Sequence, residues 1–202
     1  MQNNISFTSN INFVSPRQFR KVIRRHGEYI PFENYGEGKF CSISQNFYTE
    51  CIRTCSAGGI KSSESAVGFH VKDSYTNYEK IKKVYKSIKS HLIGEAEGGL
   101  LIGSKNLIFA PYSKKIFNVL KNMISQDTKS LSVFETFTDR QAEAHIHYSL
   151  PNDTWTINAQ IYDPKNEKYY SINNKEDLIK SFEKIVISEN DKLFIQGKEI
   201  KL

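Results

Sequence analysis

From Leu131 onward apolar residues recur at every second position, and this periodicity constrains the fold more than any other feature of the chain. Leu131 and Val133, then Ala142, Ala144 and Ile146, then Trp155, Ile157, Ala159 and Ile161 mark three strands. Alternation sends successive side chains to opposite faces, so each strand offers one face to a core. Pro151-Asn152-Asp153 reads as the turn joining the last two, and all three strands are expected in one antiparallel sheet.

Upstream the pattern is mixed. Ile5, Phe7, Ile11 and Phe13 alternate loosely and suggest one or two short strands before Pro16. Residues 17–25 place Phe19, Val22 and Ile23 at helical spacing among basic residues, with Gly27 as a stop; this basic helix reads by default as a solvated one and is the best local candidate for docking an acidic partner. Pro31, Gly36 and Gly38 mark a surface loop over 31–46, and Phe47 to Ile52 is apolar enough to be buried. The run AVGFHV, 66–71, is a strand in which Val67, Phe69 and Val71 share a face opposite His70, so that His70 points away from the core.

Thr76 and Glu79 have capping-box spacing at the start of a helix with Ile81, Val84, Tyr85 and Ile88 in one stripe. GGLLIGSKNLIFA reads as a hairpin with strands at 100–102 and 107–109. Its Gly103-Ser104-Lys105 order excludes a phosphate-binding P-loop. Ser113 is placed as the cap of a helix burying Ile116, Phe117, Leu120 and Ile124. A last helix over 176–184 carries Leu178, Ile179 and Phe182 and precedes a short strand pair containing Phe194 and Ile195. The fold class expected is α+β, a single domain over 1–202 with mostly antiparallel, sandwich-like sheets flanked by helices.

The 202 residues, 39% apolar and 12% aromatic, suffice for one core and show no solenoid repeat. The charge of +6 favours acidic partners, yet the basic residues are scattered. Lys80, Lys82, Lys83, Lys86 and Lys89 read as the solvated face of one helix, so nucleic acid is not the expected partner. Cys41, Cys51 and Cys55 are too few and too close for a secreted disulfide framework, and reduced thiols are expected. Neither a Sec-type leader nor an apolar run of membrane-spanning length is recognisable in these residues.

Two constellations carry chemistry. Cys55 is followed by Ser56-Ala57-Gly58-Gly59, and His70 lies fifteen positions on. A thiol is largely protonated at neutral pH and needs a base to become a nucleophile. Imidazole supplies that base and then returns the proton to the leaving group. The glycines are expected to turn the backbone so that N–H groups approach a substrate oxygen. The bland alternative is a buried Cys in a turn and a His at a strand end. The second constellation is Glu143, His145 and His147 on one strand face, a donor set that Fe(II) or Zn(II) accepts, against the simpler reading of a polar face turned to water.

Thr138-Asp139-Arg140-Gln141, a turn with Asn152-Asp153, and Trp155-Thr156-Ile157-Asn158-Ala159 resemble the Burkholderia lethal factor family of glutamine deamidase toxins. Phe47-Tyr48-Thr49 precedes Cys55 as aromatic residues and a Thr precede the catalytic Cys in that family, and His70 follows at the end of a strand. The Cys-to-His interval looks like that of the related cytotoxic necrotizing factor domain. The resemblance covers roughly 47–71 and 138–161. It departs at Arg53-Thr54, where the family has Ser-Gly before the nucleophile.

What the resemblance implies is a Cys-His protein-glutamine deamidase, with Cys55 and His70 catalytic and Thr49 orienting His70. No metal and no organic cofactor is implied. It also implies a bacterial toxin or effector, expected as a monomer, that reaches the cytoplasm of a eukaryotic host. Its expected partner is a host protein substrate. That is the DEAD-box helicase of translation initiation, with blocked translation as the result, or a Rho-family GTPase as for the necrotizing factors. Two other readings stand beside it: a binding module of the same fold made inactive by Arg53 and Thr54, and a chemoreceptor deamidase of the CheD type, to which GGLLIGSKN bears a likeness.

Overall fold

The computed structural model describes residues 9–25, 28–29, 46–72, 77–103, 112–136, 142–163 and 166–202. Within them, four helices and two mixed sheets form an α+β fold. The surface loop at 31–46 (save Asn46), the strand at 107–109 and the Thr138–Gln141 segment lie outside these residues, as do Ile5 and Phe7.

The larger sheet has eight strands. Along its main path run β13 (Lys198–Ile200), β12 (Lys192–Ile195), β1 (Asn10–Phe13), β9 (Thr154–Asp163), β8 (Ala142–Ser149), β3 (Phe47–Ile52) and β2 (Glu28–Tyr29); β10 (Lys168–Ser171) pairs the second half of β9. The smaller sheet runs β11 (Phe182–Val186), β7 (Ser130–Thr136), β6 (Gly98–Gly103), β4 (Ser56–Lys61), β5 (Ala66–Val71). Antiparallel pairs predominate among the described residues, although β1 is parallel to both its neighbours, as β6 is to β7 and β2 to β3.

Alternation along the strands builds two cores. Ala57, Ala66, Leu100, Ile102 and Phe134 on one face of the smaller sheet meet Ile11, Phe13, Phe47, Ile146, Trp155 and Ile157 of the larger sheet. The opposite face, with Ile60, Val67, Phe69, Val71, Leu101 and Val133, is covered by α2 (Tyr78–Lys89) and α3 (Ser113–Asp127). Ile81, Tyr85 and Ile88 from α2 and Ile116, Phe117, Leu120 and Ile124 from α3 fill it, as their helical spacing predicts. Lys80, Lys83 and Lys86 of α2 are exposed, with Lys82 and Lys89 half-buried, as a solvated face requires.

The helix α1 (Pro16–Ile23) lies against β9 and puts Phe19 beside the His145 ring. Its start is a capping box. The Gln18 amide N–H donates to Ser15 Oγ at 3.4 Å, and the Ser15 N–H donates to Gln18 Oε1 at 2.9 Å.

Several expectations are corrected. The strand β7 leaves the β8–β9 sheet for the smaller one, because Leu131 and Val133 pack on helices while Phe134 faces between the sheets. The strand β6 has no hairpin partner beside it, since β4 and β7 occupy both its edges from Gly98 to Gly103. The α2 cap is Asn77, whose side chain accepts from the Glu79 N–H at 2.9 Å. Ser113 does not cap α3; Tyr112 stands at the cap position, and the Ser113 hydroxyl donates to the Thr54 carbonyl. The last helix, α4 (Lys175–Ser181), stops short of Lys184. Phe182 is the first residue of β11, and Ile179 is exposed.

Candidate active site

The chain reaches Cys55 through an irregular stretch of β3. Thr49 pairs with Ile146 of β8 and Ile52 with Ala144, so three steps on β3 match two on β8. The extra residue is a bulge, with Cys51 in the left-handed region at φ 59°. A regular strand that turns Phe47 and Thr49 inward would also turn Cys51 inward and Ile52 outward. The bulge reverses that parity, so Ile52 is buried and Cys51 is exposed. Arg53 and Thr54 then cross to the smaller sheet, where Ser113 at the start of α3 holds the Thr54 carbonyl.

The nucleophile candidate, Cys55, directly precedes β4 and is 8% exposed. In the β4–β5 ladder Ala57 stands opposite His70 and Ser56 opposite Val71. Cys55 is two residues before Ala57, in the bend that enters β4 and outside the paired ladder. Ala57, and His70 opposite it, lie on the face between the sheets. His70 is therefore not directed away from the core: Val67, Phe69 and Val71 face the helices, and His70 is turned inward at 1% exposure.

Across the gap, Thr49 Oγ1 lies 2.7 Å from His70 Nδ1, and Thr49 too is fully buried. Burial, with the Lys72 charge adding to it, pulls the His70 pKa from 6.5 down to about 4. The imidazole is neutral at pH 7. In the tautomer whose Nδ1–H donates to Thr49 Oγ1, Nε2 carries the lone pair that a general base needs.

Gly58 and Gly59 do not form the turn expected of them. Both lie inside β4, paired on two sides and without positive φ. An added Cβ on Gly58 would lie 1.9 Å from the Leu100 carbonyl oxygen. On Gly59 it would lie 2.7 Å from the Val67 oxygen and 2.8 Å from Phe47 Cζ. Both are packing glycines: Gly58 fits against the β6 backbone, and Gly59 lets the rings of the facing sheet approach. Nor does Thr54 adopt positive φ, so the Arg53-Thr54 departure is met by an ordinary backbone turn.

The outer face of the larger sheet holds the second constellation, altered. Glu143, His145 and His147 do share a face, but His147 is 2% exposed and not turned to water. The residue brought beside Glu143 and His145 is Cys51. One signal in the sequence pointed there: Phe47 and Ile52, five apart, are out of phase for a regular strand, as a bulge between them requires. Nothing in the sequence marked Ser113 as the support for the turn before Cys55.

No protein-family model matches the chain, and no curated protein matches it. Among solved structures, the chain is similar to the C-terminal domain of CNFy from Yersinia pseudotuberculosis at 12% identity and a TM-score of 0.34. The match covers 64% of this chain and 52% of that one, so the chain spans about half the length of that domain.

Proposed function

We propose that the protein is a deamidase of protein-bound glutamine, with Cys55 as nucleophile, His70 as proton carrier and Thr49 as the residue that holds His70. The observation that carries this reading is the buried Thr49–His70 hydrogen bond at 2.7 Å, with His70 on the strand that pairs with β4 directly after Cys55. A neutral imidazole fixed through Nδ1 is the arrangement in which Nε2 takes a thiol proton.

Nε2 removes the Cys55 proton as Sγ bonds to the glutamine carboxamide carbon, giving a tetrahedral intermediate. The C–N bond then breaks, and the proton on His70 leaves with the nitrogen as ammonia. Water, deprotonated by His70, attacks the thioester; glutamate departs and the thiol regains its proton. The balance is glutamine plus water to glutamate plus ammonia, with no further co-reactant.

In this reading the protein is a toxin or effector acting on a host protein, with the translation-initiation DEAD-box helicase as the first candidate substrate and a Rho-family GTPase as the second. The test is peptide mass spectrometry of a eukaryotic lysate incubated with the wild-type protein or with Cys55→Ser. Glutamine-to-glutamate conversion at defined sites with wild type alone is expected. Equal conversion by both, or none in a lysate where a known deamidase works, overturns the proposal.

A further inference from the structure

Outside the Cys55–His70 site, one cluster among the described residues brings together three different metal-ligating groups. The β3 bulge turns Cys51 outward, and β8 presents Glu143 and His145 on the same side, two residues apart. One donor atom from each of Cys51, Glu143 and His145 lies within 4.8 Å of the other two. His145 Nε2 is 3.6 Å from Glu143 Oε1. The other oxygen, Oε2, is held by Arg53 Nη2 at 2.9 Å and Nε at 3.2 Å, which fixes the carboxylate plane. Behind the imidazole, Glu50 Oε1 is 3.7 Å from His145 Nδ1, and the Cys51 N–H approaches that nitrogen at 3.4 Å.

We propose that Cys51, Glu143 and His145 form a zinc-binding site. A thiolate, an imidazole and a carboxylate are ligands zinc accepts together, and bonds of about 2.0–2.3 Å in a tetrahedron set the donors roughly 3.3–3.8 Å apart. The widest spacing, within 4.8 Å, must contract by about 1 Å. Glu143 Oε1 and His145 Nε2 are already in that range, and both sit on a strand paired on two sides. With Nε2 on the metal, Nδ1 must carry the hydrogen, so metal binding gives up the long 3.4 Å contact from the Cys51 N–H and turns Nδ1–H to Glu50 Oε1, now 3.7 Å away. Zinc replaces the thiol proton, which passes to solvent, and water fills the fourth position. Arg53, 66% exposed, touches only Oε2 and leaves Oε1 to the metal. The bound ion ties the β3 bulge to β8 four residues ahead of Cys55.

The test is titration with Co(II) as a spectroscopic stand-in, followed by competition with zinc. One equivalent of Co(II) is expected to produce a thiolate-to-cobalt charge-transfer band that zinc abolishes. Cys51→Ser removes the band, and His145→Ala weakens binding about tenfold or more. Cys41→Ser and Cys55→Ser leave the band intact, which separates this site from the proposed nucleophile. Circular dichroism establishes that each variant is folded. No band at one equivalent, or a band that survives Cys51→Ser and disappears with Cys41→Ser or Cys55→Ser, overturns the proposal.

Discussion

At the scale of the residue, His70 is the group whose state the fold changes most. Its pKa falls from 6.5 in the unfolded chain to about 4 in the folded one. Between these values the unfolded chain binds a proton that the folded one refuses, so stability falls as pH drops from about 6.5 to about 4. Above pH 6.5 the stabilisation is fully present. Each factor of ten in that equilibrium is about 1.4 kcal/mol, giving about 3 kcal/mol across the window. Urea midpoints of the wild type should decline through it, and His70→Gln should flatten that slope. An unchanged slope in His70→Gln would show that the histidine is not held neutral.

At the scale of the element, β4 depends on having no side chain at Gly59. Its neighbours on that side are the Val67 carbonyl and two aromatic rings, Phe47 and Trp155, from the facing sheet. Those rings are packed edge to face 5.8 Å apart, and Tyr148 closes the group at 4.4 Å from Trp155. Gly59→Ala must therefore move backbone and rings together, and a loss of about 3 kcal/mol in urea unfolding is expected. The sequence placed strands around these glycines but assigned the glycines to a turn. Small residues read alike in a turn and at a close sheet contact, and only the facing sheet distinguishes them. Capping shows the same ambiguity. Ser15–Gln18 and Thr76–Glu79 have equal spacing, and the first forms a box while Asn77 caps the second helix.

At the scale of the molecule, the sheets are joined at the far end of β4 from Cys55 by a buried polar network. Lys61, 3% exposed, pairs with Asp153 of the β8–β9 turn, whose Oδ1 also accepts from Ser9 Oγ and Tyr148 Oη at 3.0 Å each. Asp191 accepts from the Ser9 N–H and from Ser132 Oγ, linking β1 and β7. Burial raises the Asp191 pKa and, with Asp153 beside it, the Tyr148 pKa. Asp153→Ala strands the Lys61 ammonium and should cost about 3–5 kcal/mol. Lys61→Met leaves Asp153 its two hydroxyl donors and its partial exposure, and should cost much less. In the double variant Lys61→Met should restore part of the loss, a cycle that urea unfolding measures.

Thr49 is a candidate only through the resemblance to a toxin family; by itself the sequence determined the class of fold, most of the strands and helices, and the candidate pair Cys55 and His70. These follow from local periodicity and from residue chemistry at short spacing, which one chain carries on its face. Which strands share a sheet did not follow, because alternation states that a strand has two faces but not what covers each. β7 reads like β8 and β9 and belongs elsewhere. Only the tertiary structure turned His70 inward onto Thr49, since that hydrogen bond joins residues 21 apart on different sheets. The bulge at Cys51 is decided in the same way. One residue too many against β8 reverses which side chains face water, and so brings a thiol to Glu143 and His145.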